Sequence, residues 1–176
     1  YINTKCEGKY GVYEGTRITE LKSVPYFGID FAIHVPGLPD RLEGFSKEIQ
    51  YCMDYFVSLV ETDPQNVDHI IDSVVSIYYF WINLMPLSRG SALVGFLALQ
   101  SLFMAAGYKL TRGFLEGEMD WEALLALNMT EFKRCMRSWL EKSLRIDRPV
   151  LEAPIFAECF PTLKDLISLL TFSSLD

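Results

Sequence analysis

The chain has 176 residues, of which half are hydrophobic, 14% are aromatic and 22% are charged. This composition excludes a disordered tail, a collagen-like chain and a low-complexity linker, and it predicts one domain rather than two. The formal net charge of −7 argues against nucleic-acid binding, which needs a basic surface. Because the hydrophobic share is high for a free-standing domain of this size, we predict that residues 1–176 are one domain from a larger chain.

Residues 1–44 carry the strand and turn signals. Apolar and polar residues alternate over Tyr26–Val35, which predicts a half-buried strand or extended arm that ends at the prolines of 36–39. A shorter strand pair, Tyr10–Tyr13 and Thr16–Leu21, is predicted to turn at Glu14-Gly15. We interpret Glu14 and Gly15 as part of a structural turn with a buried ion pair or hydrogen bonds, or alternatively as a site where an exposed carboxylate has a regulatory or binding role.

From Phe45 onward the apolar spacing becomes helical, and residues 45–176 are predicted to form a helical core. The predicted helices are Phe45–Glu61, Asn66–Leu84, Ser88 or Ser91 to Ala106, Asp120–Leu127, Thr130–Leu144 and Thr162–Leu170. Leu110–Met119 and Pro149–Pro154 are predicted connectors. The hairpin at 66–107 is apolar on most sides, so we expect it to be buried at the centre, with Gly107 at the left-handed stop. The predicted fold class is therefore mainly α, a helical bundle around a buried hairpin with a short N-terminal β-hairpin or extended arm.

Four cysteines form no CxxC pair and lie far apart, which favours free thiols over a disulfide or a zinc site. They are Cys6, Cys52, Cys135 and Cys159. We predict no metal and no cofactor. The most apolar segment, Ala92–Ala106, falls short of the roughly 20 residues that span a bilayer, so we predict a core helix and no transmembrane segment.

Asn128-Met129-Thr130 is a formal glycosylation sequon. We expect Thr130 to cap a helix there, unless the protein is secretory. No compartment is indicated by the sequence.

The common catalytic motifs are absent from the sequence, including the nucleophile elbow, the Walker loop and HExxH. The two histidines, His34 and His69, are interpreted as surface or packing residues rather than bases. We therefore assign no catalytic residue and favour a protein without enzymatic activity.

The most distinctive local signal is residues 83–91, between the two apolar helices. Its candidate binding residues are Asn83, Ser88, Arg89, Gly90 and Ser91. A loop that leads into a helix N-terminus presents free N–H groups, which suit a phosphate or carboxylate, and a peptide is a further candidate ligand. In the structural interpretation, the serines cap the helix and Arg89 is buried against a carboxylate such as Asp30 or Glu14. Arg89→Ala is then strongly destabilising if Arg89 is buried and affects only binding if it is exposed.

One basic zone interrupts the acidic chain, on the predicted helix Thr130–Leu144. Its candidate partner-binding residues are Lys133, Arg134, Arg137 and Lys142. They form either a solvated face with cations near a helix C-terminus or a docking patch for an acidic partner.

Three stretches carry a resemblance to a known family. They are YYFWINLMPLSRGS at Tyr78–Ser91, the following Gly107, and FPTL at Phe160–Leu163. Over about residues 66–172, the chain resembles the C-terminal domain of the tetratricopeptide repeat protein thirteen and plant immunity-suppressor family. The resemblance implies a scaffold whose repeats bind partners, with this domain closing their C-terminal end. The implied partner is another protein or the remainder of the same chain.

A second resemblance is to the layout of Fic-type AMP transferases, which place a loop between two helices and carry an inhibitory Glu-Gly segment upstream. Aligned at Gly90, the equivalents of the Fic histidine, acid, asparagine and arginine are Asn83, Leu87, Arg89 and Ser91. Without a base or a Mg²⁺ ligand, proton abstraction and neutralisation of phosphate charge lack an agent. This resemblance therefore implies a degenerate, nucleotide-binding pseudoenzyme, and it alone implies a nucleotide ligand.

Overall fold

The computed structural model describes residues 2–24, 28–37, 39–111, 119–146 and 162. The elements in chain order are β1 (Ile2–Glu7), β2 (Val12–Val24), β3 (Gly28–His34), α1 (Pro39–Thr62), α2 (Val67–Leu84), α3 (Ser91–Ala105), β4 (Tyr108–Leu110), α4 (Met119–Leu125), α5 (Met129–Ser143) and β5 (Leu144–Ile146). The predicted fold class, mainly α with a short N-terminal hairpin, is confirmed. The predicted linker Pro149–Pro154, the last helix beyond Thr162, and Cys159 lie outside the described residues.

The N-terminal sheet is antiparallel throughout, in the order β1-β2-β3. Its first turn lies at Gly8–Gly11, where the Gly8 N–H donates to the Gly11 carbonyl at 2.8 Å. The predicted turn at Glu14-Gly15 is therefore wrong, because both residues lie within β2. The two glycines that bracket 8–11 supply the turn, and the β-branched residues that follow continue the strand.

Strand β3 confirms the strand that was predicted within Tyr26–Val35 but corrects its burial. Ile33 and Val35 are exposed, although the alternation placed them on the buried face. In the described sheet β3 is an edge strand hydrogen-bonded to β2, so fewer neighbours are available to cover these two side chains.

The sheet contributes to the core through the inward face of β1 and β2. Thr4, Cys6, Thr16 and Ile18 are all buried. The Thr4 hydroxyl donates to the carbonyl of Leu124 in α4 at 2.8 Å. The N-terminal residues are thus packed against the helices.

Helix α1 begins at Pro39 rather than at the predicted Phe45. Proline is favoured at the first helical position because its missing N–H has no partner there in any case. The added turn is consequential, because it carries the buried Arg41.

Helix α2 is the centre of the described core. It packs against α1, α3, α4, α5 and both β1 and β2, and most of its residues from Ile70 onward are buried. Asn66 caps it as predicted, because its side chain accepts the His69 N–H at 3.3 Å. The helix ends at Met85, which adopts a left-handed conformation with φ of 45°.

Helix α3 differs from its prediction at the N-terminus. Its N-cap is Gly90, with φ of 82°, and neither Ser88 nor Ser91 caps it. The Ser91 hydroxyl instead exchanges hydrogen bonds of 3.1 Å with the backbone N–H and carbonyl of Leu87. Gly107 occupies the predicted stop position with φ of 81°.

Two three-residue strands, β4 and β5, were not predicted, since strands this short carry no readable alternation. They bring the end of α5 beside the end of α3. Helix α5 itself begins with Asn128 as its N-cap, whose side chain accepts the Glu131 N–H at 3.0 Å. The predicted capping role of Thr130 is therefore wrong.

Glu48 fixes the first turn of the sheet to helix α1. Its carboxylate is buried and accepts the backbone N–H groups of Lys9 at 2.8 Å and Tyr10 at 2.6 Å. The Tyr13 hydroxyl donates to the same carboxylate at 3.4 Å. One side chain thus satisfies two N–H groups that the turn leaves without a strand partner.

We expect Glu48→Ala to lower the free energy of unfolding by about 2–3 kcal/mol, because two partly buried N–H groups lose a charged acceptor. Urea denaturation measures the change. Glu61→Ala is the control, since Glu61 is exposed on the same helix, and it should change stability by about 0.5 kcal/mol or less. Equal losses in the two variants would contradict the role of Glu48.

Candidate functional site

Asn83, the first of the candidate binding residues, lies at the C-terminal end of α2 and is fully buried. Its amide nitrogen donates to the carbonyls of Tyr79 and Ala123, both at 3.1 Å, and so links α2 to α4. Its backbone carbonyl accepts the Thr16 hydroxyl at 2.8 Å. Asn83 therefore belongs to the interior and is not available to a ligand in solution.

Arg41 has the structural role that was predicted for Arg89, that of a buried arginine that contacts Glu14. Its guanidinium donates to the carbonyl of Glu14 at 2.6 Å, to that of Leu84 at 3.1 Å, and to that of Asn83. The last carbonyls of a helix have no partner within the helix and form its negative end, so a buried cation stabilises them. Burial lowers the pKa of Arg41, and the field of Cys6 and Glu14 opposes this effect. We name these contacts around Arg41 and Asn83 the α2 C-terminal cluster.

Glu14 and Gly15 join this cluster from strand β2. The Glu14 carbonyl accepts from Arg41, while its carboxylate pairs with Arg17 on the same strand. A Cβ at Gly15 would lie 2.6 Å from Oδ1 of Asn83 and 2.9 Å from the Thr4 carbonyl, so only glycine fits. The two residues do meet Asn83 in space, as parts of the packing.

The loop 86–90 is exposed, and Arg89 with it. The structural interpretation that buried Arg89 against Asp30 or Glu14 is wrong, because the guanidinium that enters the interior is that of Arg41. Ser88 and Gly90 are also exposed, whereas Ser91 is buried in its contact with Leu87. Of the candidate binding residues, only Ser88, Arg89 and Gly90 lie at the surface.

The outer face of α3 is the largest departure from the prediction. The hairpin was expected to be buried on most sides, yet one face of α3 carries large exposed apolar side chains. They are Leu93 (58% exposed), Val94 (42%), Leu97 (52%) and Met104 (45%). Small residues, Ala98, Ser101 and Ala105, complete this face, and all three are exposed. We name these seven residues the α3 stripe.

The α3 stripe has no charged neighbour on its own helix, since α3 contains no acidic or basic residue. The opposite face, with Phe96, Leu99 and Phe103, is buried. A contiguous apolar patch of this kind marks an interaction surface far more often than scattered single residues do. The stripe is therefore the candidate functional site of the described chain.

The predicted basic patch on α5 is partly used within the fold. Arg137 pairs with Asp68 and Asp72 on α2, the latter at 2.6 Å. The hydrogen bond to Asp72 and the charges of both carboxylates raise the pKa of Arg137. Arg134 and Lys142 are exposed, and Lys133 is partly exposed. With Arg137 set aside, the predicted patch consists of these three cations.

Two described thiols are buried, and one is exposed. Burial raises the pKa of Cys6 to about 12 and that of Cys52 to about 11. Cys135 is exposed, and its pKa is raised by burial of the sulfur and by Glu122. All three are free cysteines.

We expect a maleimide at pH 8 to modify Cys135 in the native protein and to spare Cys6 and Cys52 until denaturant is added. Mass spectrometry of the labelled peptides checks this. Fast native labelling of Cys6 would contradict the described packing.

The raised pKa values also predict that stability falls as pH rises above about 9, because the unfolded chain releases thiol protons that the native chain retains.

A surface cavity of about 280 Å³ lies between the start of α2 and the β4–β5 pair. It is lined by Gln65, Val67, Ile71, Tyr108, Glu141, Leu144 and Ile146.

Among the residues that the structure describes, no group of three or more His, Cys, Asp or Glu side chains is placed to hold a metal ion. Within the same residues no helix is long and apolar enough to cross a membrane.

Sequence reasoning missed Arg41 and the exposure of the α3 stripe. Arg41 lies two residues after Pro39 at the start of a helix, where an arginine is ordinarily expected to be exposed to solvent. A signal for the stripe did exist, because α3 is apolar on every side, and such a helix needs cover on every side.

The chain is similar in sequence to two curated proteins. It is 31% identical to Suppressor of RPS4-RLD 1 from Arabidopsis thaliana over 179 aligned positions, which cover 96% of the chain and 16% of that protein. It is 30% identical to tetratricopeptide repeat protein 13 from Homo sapiens over 85 positions, 48% of the chain and 10% of that protein. The chain thus spans about a sixth or less of either relative. No family model matches it, and no solved structure matches it.

These matches confirm the resemblance to the tetratricopeptide repeat protein thirteen and plant immunity-suppressor family. The Fic-like resemblance has no such support. Its histidine equivalent, Asn83, is enclosed by backbone carbonyls, and its Glu14-Gly15 segment is a strand.

Proposed function

We propose that this chain, as a relative of Suppressor of RPS4-RLD 1 and tetratricopeptide repeat protein 13, is a protein-interaction and scaffold domain without enzymatic activity. We place it at the C-terminal end of the repeats of a longer protein. Its partner is a second protein or the remainder of its own chain.

The observation that carries the proposal is the α3 stripe. On one uncharged helix, four large apolar side chains are exposed to water. Each Å² of apolar area left uncovered costs about 25 cal/mol. Interfaces that persist are typically apolar at the centre and polar at the rim. The stripe has the composition of such a centre.

The exposed loop residues Ser88, Arg89 and Gly90 supply a polar rim at one end of the stripe. They precede Leu93 by three to five residues, just outside the start of α3. Lys133, Arg134 and Lys142 are proposed as a second patch, on α5, that favours an acidic segment of the partner. Nucleotide binding is not part of the proposal.

Leu97→Glu in the full-length protein tests the proposal, with Val57→Glu as the matched control. Val57 is an exposed apolar residue on α1, at 46% exposure, and lies outside the stripe. We expect Leu97→Glu to change the set of co-purified proteins or the tryptic cleavage pattern around this segment, and Val57→Glu to change neither. If both variants match the wild type in both assays, the proposal is wrong.

A further inference from the structure

The α3 stripe has the dimensions and spacing of a helix-docking face. Its large residues recur at positions 93, 94, 97 and 104, on a helix of 15 residues that is about 22 Å long. Ala98, Ser101 and Ala105 lie beside them on the same face and present little volume, which lets a second helix approach closely. The Ser101 hydroxyl donates to the Leu97 carbonyl at 2.8 Å, so it does not need a polar partner across the interface.

The seven residues of the stripe carry no charge that would steer or select a freely diffusing partner, and Arg89 lies only at one end of the stripe. Transient complexes use charged residues around the contact for that purpose, whereas permanent interfaces resemble a domain core cut in half. The uncharged α3 matches the second case. A contact within one chain is permanent and needs no steering.

The arrangement of α2 and α3 indicates which part of the chain provides the contact. Helix α2 is covered on its other sides by α1, α4, α5 and the sheet, while α3 packs against α2 with its inner face and has an outer face that the described elements leave uncovered. In arrays of helical pairs each pair covers a face that its neighbour cannot bury alone. The relatives are about five to six times as long as this chain, and one of them is named for tetratricopeptide repeats.

We propose that the α3 stripe packs in cis against an apolar helix face of the repeat part of the full-length protein, so that α3 acts as the next helix of the array. This inference rests on the proposed interaction function and specifies its partner. Arg89 and Ser88 then lie at the edge of the junction.

Photo-cross-linking of the purified full-length protein tests this inference. A p-benzoylphenylalanine at position 97 probes the stripe, and the same residue at position 57 is the control, since Leu97 and Val57 are similarly exposed. Circular dichroism melts verify that both proteins fold. We expect position 97 to give an intramolecular cross-link to a repeat helix, with a yield several-fold above that of position 57.

The same reaction is also run in cell extract. Three outcomes would overturn the inference: a cross-link to a second copy, a cross-link that forms only in extract and only to another protein, or equal yields at both positions. The first two leave the interaction function standing and reassign the partner. Equal yields overturn the cis contact, and the Leu97→Glu comparison then decides separately whether the interaction function also fails.

Discussion

Arg41→Met is expected to lower the free energy of unfolding by about 3–5 kcal/mol. The change removes three donated hydrogen bonds and leaves the carbonyls of Glu14, Asn83 and Leu84 without a cationic donor in the interior. Hydrogen bonds from charged groups contribute about 1.5–3 kcal/mol each, and their losses at one site are not additive. Urea denaturation followed by circular dichroism measures the change.

Two further variants isolate the cause. Arg17→Met removes a partly exposed arginine whose pair with Glu14 lies on the surface, and we expect a loss of about 1 kcal/mol or less. Arg41→Lys retains the charge but cannot reach three separate carbonyls, so its stability should fall between wild type and Arg41→Met. A stability of Arg41→Met equal to that of Arg17→Met would show that the α2 C-terminal cluster is not a stabilising feature.

Gly15→Ala is expected to cost about 2–4 kcal/mol. The added Cβ would lie 2.6 Å from Oδ1 of Asn83, 2.9 Å from the Thr4 carbonyl and 3.2 Å from Sγ of Cys6. One of these atoms belongs to the backbone, so β1 and β2 would have to separate, and overpacking of this kind typically costs 1–3 kcal/mol or more.

Gly37→Ala is the matched control, because a Cβ at Gly37 meets nothing within 4 Å. Its stability should equal that of the wild type or rise slightly, since alanine restricts the unfolded chain. Thermal unfolding of the two variants side by side gives the comparison. A Gly15→Ala protein that melts with the wild type would contradict the close approach of β2 to α2.

Most helices were predictable from the sequence because each has its own local signal. The i, i+3, i+4 spacing gave α1 and α2, and Asn66 capped α2 as its residue type suggests. The stop at Gly107 followed from the freedom of glycine at positive φ. These features depend on residues that are close in sequence.

The errors concern contacts between distant segments. Whether an arginine is buried depends on what surrounds it in space, and nothing local distinguishes Arg41 from Arg89. The same is true of Gly15, whose small size is required by Asn83, distant in sequence. The β4–β5 pair joins residues 108–110 to 144–146 by backbone hydrogen bonds, to which side-chain patterns contribute little.

The candidate site was predicted only in part. The sequence located the hydrophobic excess in the 66–107 hairpin, but periodicity could not divide α3 into a covered and an uncovered face, because the helix is apolar all round. The loop 83–91 was recognised as distinctive, but Asn83, one of its candidate binding residues, is fully buried. A motif that identifies a family can therefore reflect packing rather than ligand binding.

The most direct measurement of the central claim is the rate at which hydrogen peroxide oxidises Met104. Met104 is 45% exposed in this chain, and the fully buried Met136 provides an internal reference. We predict that Met104 oxidises readily in the chain alone and several-fold more slowly in the full-length protein, while Met136 is protected in both. Equal rates for Met104 in the chain alone, the purified full-length protein and a cell extract would contradict the claim that protein covers the α3 stripe.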